Sequence, residues 1–128
     1  MILDSSVIVA IVRREPGFEE LVRKLEHAAG VGIGTPTLTE AGVVIDAKLG
    51  LESRAVLERF LSDFDVTPVP FGEDHWREAI GAFRRFGKGR HAAGLNFGDC
   101  LTYAVARLAG QPLLFVGDDF NGTDLEKA

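Results

Sequence analysis

At 128 residues, 46% hydrophobic and 26% charged, the chain has the size and composition of one self-sufficient globular domain, 1–128. Its net charge of −5 excludes a coat protein that grips nucleic acid through a broad basic surface. The longest apolar run, Val7 to Val12, falls far short of the roughly 20 residues a membrane span needs. A lone cysteine, Cys100, forbids an intrachain disulfide. With no basic leader before the first apolar stretch, the expected location is the cytoplasm.

Met1-Ile2-Leu3 has the look of a strand buried on both faces, and it ends on Asp4. Ser5-Ser6 can cap the helix that runs on to Arg14, where Glu15-Pro16-Gly17 stops it. Phe18, Leu21, Val22 and Leu25 recur at helical spacing up to Gly30. Val31 to Gly34 is a short, glycine-weakened second strand, and Thr35-Pro36-Thr37 opens a helix closed by Gly50. A further helix is expected from about Leu51 to Phe64. Val66-Thr67-Pro68-Val69-Pro70 reads as an edge strand, because proline cannot donate to a ladder.

Gly72-Glu73-Asp74 starts a helix carrying Trp76, Ala79, Ile80 and Phe83, which gives way to the glycine-rich loop 87–94. A strongly apolar helix from about Gly98 to Ala109 leads to the last strand, Leu113 to Val116, and then to Gly117-Asp118-Asp119-Phe120. Strands alternating with helices predict an α/β fold, a central parallel sheet with helices on both faces.

In such a sheet, helices that follow strands begin at the carboxyl edge, where ligands bind. Four places put an acid there: Asp4, Glu40, Asp99, and Asp118 or Asp119. Each has a bland explanation of its own. Thr37-Leu38-Thr39-Glu40 is a capping-box pattern, Asp99 complements a helix dipole, and Asp118 to Gly122 has the composition of a turn. Taken together they repel one another, and a hard divalent cation, Mg²⁺ or Mn²⁺, relieves that repulsion. Asp46 points to another side of its helix and stays outside the group.

Met1-Ile2-Leu3-Asp4-Ser5-Ser6, Thr37-Leu38-Thr39-Glu40, Leu95-Asn96-Phe97-Gly98-Asp99-Cys100 and Leu114-Phe115-Val116-Gly117-Asp118-Asp119-Phe120 resemble the successive motifs of PIN-domain ribonucleases, most closely the VapC toxins of VapBC toxin–antitoxin pairs. The resemblance spans essentially the full chain. It implies a Mg²⁺-dependent endoribonuclease acting on RNA, a cognate VapB-type antitoxin that blocks the site, and a homodimer. Asp4 and Asp99 then become the principal metal ligands, Glu40 completes the acidic site, and Asp118 is the fourth acid, with Asp119 as its alternative. Ser6 matches a hydroxyl-bearing position that orients the first aspartate or a water.

Flanking phosphates have a candidate seat in Arg84, Arg85, Lys88, Arg90 and His91, a basic strip that is otherwise a solvated face. Three other readings remain at this stage. A metal-free ribonuclease would use His27, His75 and His91 as acid and base. A phosphatase of the haloacid dehalogenase kind would need a second aspartate where Ser6 stands. A catalytically silent metal- or partner-binding module would keep the fold and the acids without activity. Cys100 is expected to be a buried structural thiol. The apolar residues from Ala10 to Leu25 and from Leu51 to Phe64 serve either as core or as a groove for an antitoxin helix.

Overall fold

The first and last strands of the chain meet in the sheet. In the computed structural model, which describes residues 1–128, β1 (Ile2–Leu3) pairs in parallel with β4 (Leu113–Leu114) on one side and with β2 (Val31–Gly34) on the other. β3 (Val66–Val69) joins β2 in parallel, giving the order β3-β2-β1-β4. Pro68 therefore lies on an edge strand, as its missing N–H requires.

The helices are α1 (Ser5–Val12), α2 (Phe18–His27), α3 (Thr35–Leu49), α4 (Ser53–Asp63), α5 (Glu73–Phe86) and α6 (Phe97–Ala109). They cover both faces of the sheet, and strand alternation divides the core accordingly. Ile2 and Leu113 face a cluster built with Ala79 and Ala82 of α5 and Tyr103 to Ala106 of α6. Leu3 and Leu114 face the opposite way, onto Val7, Ile8, Leu25, Ala41, Ile45, Leu57 and Phe60 of α1 to α4. None of the helices is long and apolar enough to cross a membrane.

The sequence Val31-Gly32-Ile33-Gly34 makes sense in this setting. Val31 and Ile33 fill the core on the α1–α4 side. The glycines face the other way, where a Cβ at Gly34 would stand 2.7 Å from Val105 Cγ2 and one at Gly32 would stand 3.1 Å from Ile2 Cδ1. Gly34 thus lets α6 approach the backbone of β2 closely, and Gly32 makes room for Ile2 and Val69 of the flanking strands.

Several boundaries differ from expectation for identifiable reasons. Asp4, rather than Ser5 or Ser6, is the N-cap of α1, because the helix starts directly at the strand end and its side chain accepts from the Ser6 amide. That helix ends at Val12, and Arg14 turns into the left-handed region at φ 51°. α4 begins at Ser53, since the Glu52 carboxylate caps the amides of Arg54 and Ala55. β4 stops at Leu114, and the amide of Val116 turns to a side chain instead of a ladder. Leu25, Leu57 and Phe60 are buried core, so they offer no groove for an antitoxin helix. Asp46 accepts from the Ser53 amide at 3.1 Å and joins α3 to α4, away from the other acids' task.

Candidate active site at the carboxyl edge of the sheet

Asp4 sits where β1 gives way to α1, and only 8% of its surface is exposed. Burial of a carboxylate requires donors, and three are present. Oδ2 accepts from the Ser6 amide at 3.1 Å and from the Ser6 hydroxyl at 2.6 Å, while Oδ1 accepts from the Thr102 hydroxyl at 3.3 Å. Ser6 Oγ in turn accepts from the Val116 amide at 3.0 Å. A single hydroxyl thus fastens the end of the β4 segment to the first acid.

Glu40 projects from α3. The capping box suggested by Thr37 and Glu40 does not form, because α3 starts earlier, at Thr35, with Gly34 as its N-cap. Glu40 is released for another use: its Oε1 accepts from the Ser5 hydroxyl at 2.6 Å. Its Oε2 lies over the first turn of α6, where a Cβ on Gly98 would stand only 2.5 Å away. The absence of a side chain at Gly98 is what lets an acid of α3 reach the helix that carries Asp99.

Asp99 plays two parts. It closes a capping box with Asn96, accepting from the Asn96 amide at 3.1 Å while its own amide donates to Asn96 Oδ1 at 2.9 Å. Yet its carboxyl is pushed up from 3.8 to about 6. Burial is the main cause, the Asn96 amide opposes it, and the negative charges of Asp119, Asp4 and Glu40 add to it. Asp99 is therefore the acid on which the charges of the other three converge. Of the adjacent pair, Asp119 is the one that acts on Asp99. Asp118 is exposed, and its Oδ1 accepts from Asn121 Nδ2 at 2.9 Å within the turn.

This shift carries a sign. Folded Asp99 takes up its proton near pH 6 and the unfolded residue near 3.8, so the folded state binds more protons between these values. Stability contributed by this residue is lost as pH rises from about 4 through about 6. In EDTA, Asp99→Asn is expected to melt above the parent chain at pH 7.5, with the gap closing towards pH 4. A parent chain that melts at or above the variant at pH 7.5 contradicts this.

The basic strip divides. Arg85 donates to the Tyr103 hydroxyl and pairs with Asp124, which also accepts from Tyr103 at 2.6 Å and pairs with Arg107. That network ties the carboxyl-terminal segment to α5 and α6. His91 Nδ1 accepts from the Ala93 amide at 2.9 Å and so shapes its own turn. Arg84 is exposed on α5, and Arg90 rests over the Phe83 ring. Lys88 is exposed in the loop whose backbone bonds to Leu95, just ahead of α6.

The competing chemistries find little support. His27 and His75 also spend Nδ1 on backbone groups of their own turns. Cys100 is buried, and burial and the charge of Asp99 push its thiol up, away from the reactive thiolate. What the edge does offer is an all-oxygen donor set of mutually repelling carboxylates, which suits a hard divalent cation. No three of these side chains stand at ligand spacing as they are. Asp4 is pinned, whereas Glu40 and Asp119 are exposed.

Comparison with known proteins follows the same line. The family described as PIN domain matches residues 1–125. The chain belongs to the PIN-domain family. Ribonuclease VapC36 of Mycobacterium tuberculosis is 44% identical over 127 residues, 98% of this chain and 91% of the relative. Ribonuclease VapC of Mycolicibacterium smegmatis is 39% identical over 125 residues, covering 98% and 97%. This PIN domain is accordingly of the VapC type. The crystal structure of M. tuberculosis VapC20, described as a sarcin–ricin loop cleaving toxin, superposes with a TM-score of 0.80 at 15% identity, covering 99% of this chain and 97% of that one, and so shares its fold.

Three residues shape this site without having been assigned a part in it: Ser5 and Gly98, which lie within the motifs, and Thr102, which lies outside them. Gly98 had a readable signal, a glycine directly before an acid at a helix start. A threonine in the middle of an apolar helix had none.

Proposed function

We propose that this VapC-type PIN domain is a Mg²⁺-dependent endoribonuclease, the toxic half of a toxin–antitoxin pair, acting in the cytoplasm. The observation that carries the reading is the gathering of Asp4, Glu40 and Asp119 around Asp99 at one edge of the sheet, where their charges add to the upward push on the Asp99 carboxyl. Asp4 and Asp99 would hold the cation, on which Mn²⁺ can substitute. Bound there, it supplies Lewis-acid polarisation of the scissile phosphate and stabilises the leaving oxygen. Glu40, held by Ser5, orients the attacking water and takes its proton. Asp119 serves as the fourth acid, and Asp118 belongs to the turn.

Purified protein incubated with total RNA and Mg²⁺ is expected to cleave it, and EDTA to stop the reaction. Cleavage that persists in EDTA excludes the metal route. Divalent binding without cleavage of any RNA favours the silent-module alternative.

Among the basic residues, Lys88 and Arg90 are the proposed phosphate contacts, since their loop leads into the helix of Asp99. Replacing both with alanine is expected to weaken RNA binding and to lower the slope of log K against log salt by about 1–2. An unchanged slope removes them from the interface.

Protein partners follow from the family reading: a VapB-type antitoxin that silences the site, and a second copy of the chain. For the second copy there is a suitable face. Phe71, Trp76, Ile80, Phe83, Phe97 and Leu101 line an apolar groove of about 610 Å³ between α5 and α6. Glu73 opens α5 and Arg84 nears its end, so two copies of α5 packed antiparallel about a two-fold axis bring opposite charges together on either side of this stripe. Ile80→Glu is expected to convert a dimer into a monomer by light scattering. A variant that keeps the dimer mass, or a monomeric parent, refutes this face.

A further inference from the structure

Asp4 owes one of its hydrogen bonds to a residue outside the acidic motifs. Thr102 lies on α6 three residues beyond Asp99, is 1% exposed, and places its hydroxyl 3.3 Å from Asp4 Oδ1. The same hydroxyl is 2.9 Å from that of Thr37, which is 3% exposed and stands three residues before Glu40 on α3. Valine would fill both places with nearly the same volume and without a polar atom to bury. Two buried hydroxyls bonded to each other, one of them also to a carboxylate, therefore point to a purpose other than packing.

Proton bookkeeping gives the chain a direction. A threonine hydroxyl has one proton to donate and two lone pairs, whereas an ionised carboxylate only accepts. The Thr102 proton accordingly goes to Asp4, and the Thr37 proton goes to Thr102. No buried side-chain nitrogen or oxygen is left without a partner, so the chain of donors is complete. It runs from the helix of Glu40, through the helix of Asp99, to the acid at the end of β1.

We propose that Thr102 is a positioning residue for the metal site, oriented by Thr37. Asp4 Oδ2 is taken by the two Ser6 donors, so Oδ1 is the oxygen with an acceptor site to spare. Thr102 fixes where that site points, and through Thr37 it couples this direction to the placement of the α3 acid. The inference rests on the acidic metal-site reading above and adds to it the groups that set its geometry.

The test is calorimetric titration with Mn²⁺ alone, on the full chain, with thermal melts beside it. Thr102→Val is expected to weaken Mn²⁺ binding about 10-fold or more, the usual effect of losing a partner behind a ligand. Thr102→Ser, which restores the hydroxyl, should return close to the parent affinity, nearer to it than Thr37→Val. Thr37→Val leaves every bond to Asp4 in place and is expected to weaken binding by about 3-fold, less than Thr102→Val. The double valine variant should be no weaker than Thr102→Val, because Thr37 acts only through Thr102. Parent-like Mn²⁺ affinity in Thr102→Val, or failure of serine to restore it, overturns the proposal. Were Thr102→Val not to fold, parent-like affinity in Thr37→Val would overturn it equally. A parent chain that binds no Mn²⁺ removes the metal-site reading itself, a result distinct from parent and variants binding alike.

Discussion

Asp99→Asn is expected to lower RNA cleavage by about 10²–10⁴-fold while the protein folds as before. The size follows from several kcal/mol of charge stabilisation, each 1.4 kcal/mol being a factor of ten in rate. The clean separation from folding follows from the local geometry. An asparagine side chain keeps an oxygen to accept from the Asn96 amide, so the capping box that starts α6 survives. It also removes a half-buried charge that Asp119, Asp4 and Glu40 oppose. The same substitution at Asp4 is a poorer experiment. Three donors converge on that carboxylate, and an amide nitrogen in place of Oδ2 sets a donor against the Ser6 amide, while one in place of Oδ1 reverses the threonine hydroxyls. Cleavage of one RNA preparation at matched Mg²⁺, with melting curves as the folding control, measures the effect. Activity within about tenfold of the parent at matched stability would remove Asp99 from the mechanism.

Gly98→Ala is expected to separate activity from stability in a second way. An added Cβ would stand 2.5 Å from Glu40 Oε2, closer than real contacts allow, so one of them must move. Glu40 is exposed and its carboxylate ends a flexible side chain, whereas Gly98 is fixed in the first turn of α6. The carboxylate yields and leaves its place beside Asp99. Cleavage should fall about 10–100-fold, the range seen when a ligand loses its support. Stability should hold or rise, since alanine is favoured over glycine in a helix by up to about 1 kcal/mol. Lower activity with an unchanged melting temperature supports the role of this glycine as a spacer. Parent-like activity means that Glu40 has no part in the reaction, or performs it from another position.

Most of the architecture could be read from the chain because its signals are local. Apolar runs, glycine stops and the proline of the edge strand each act within a few residues, and the α/β reading needed nothing more. Asp4 and Asp99 could be placed at the carboxyl edge for the same reason, since one follows a strand end and the other lies in the first turn of a helix, whereas Glu40 stands a turn into α3 rather than at its start. Asp118 and Asp119 could not be told apart, because adjacent residues in a turn point in different directions and the sequence does not give the path of the turn. Nor could the freedom of Arg85 and His91 be judged. Their partners, Tyr103 with Asp124 in one case and the Ala93 amide in the other, depend on how the last helix and the loop are placed. Thr102 lay beyond sequence reasoning altogether: its partners, Asp4 and Thr37, lie 98 and 65 residues away.

Neighbouring parallel strands have no tight turn between them, so nothing local prevents one from sliding along the other. In β2, shape takes over that duty. Shifting the strand by a single position would put a branched side chain where even a Cβ on Gly34 would stand 2.7 Å from Val105 Cγ2. Sliding is thus penalised at the one strand from which α3 and Glu40 depart, and by the very helix that presents Asp99. Two small residues, which look like weaknesses in a strand, act as a mechanical key that admits only one alignment of the acids.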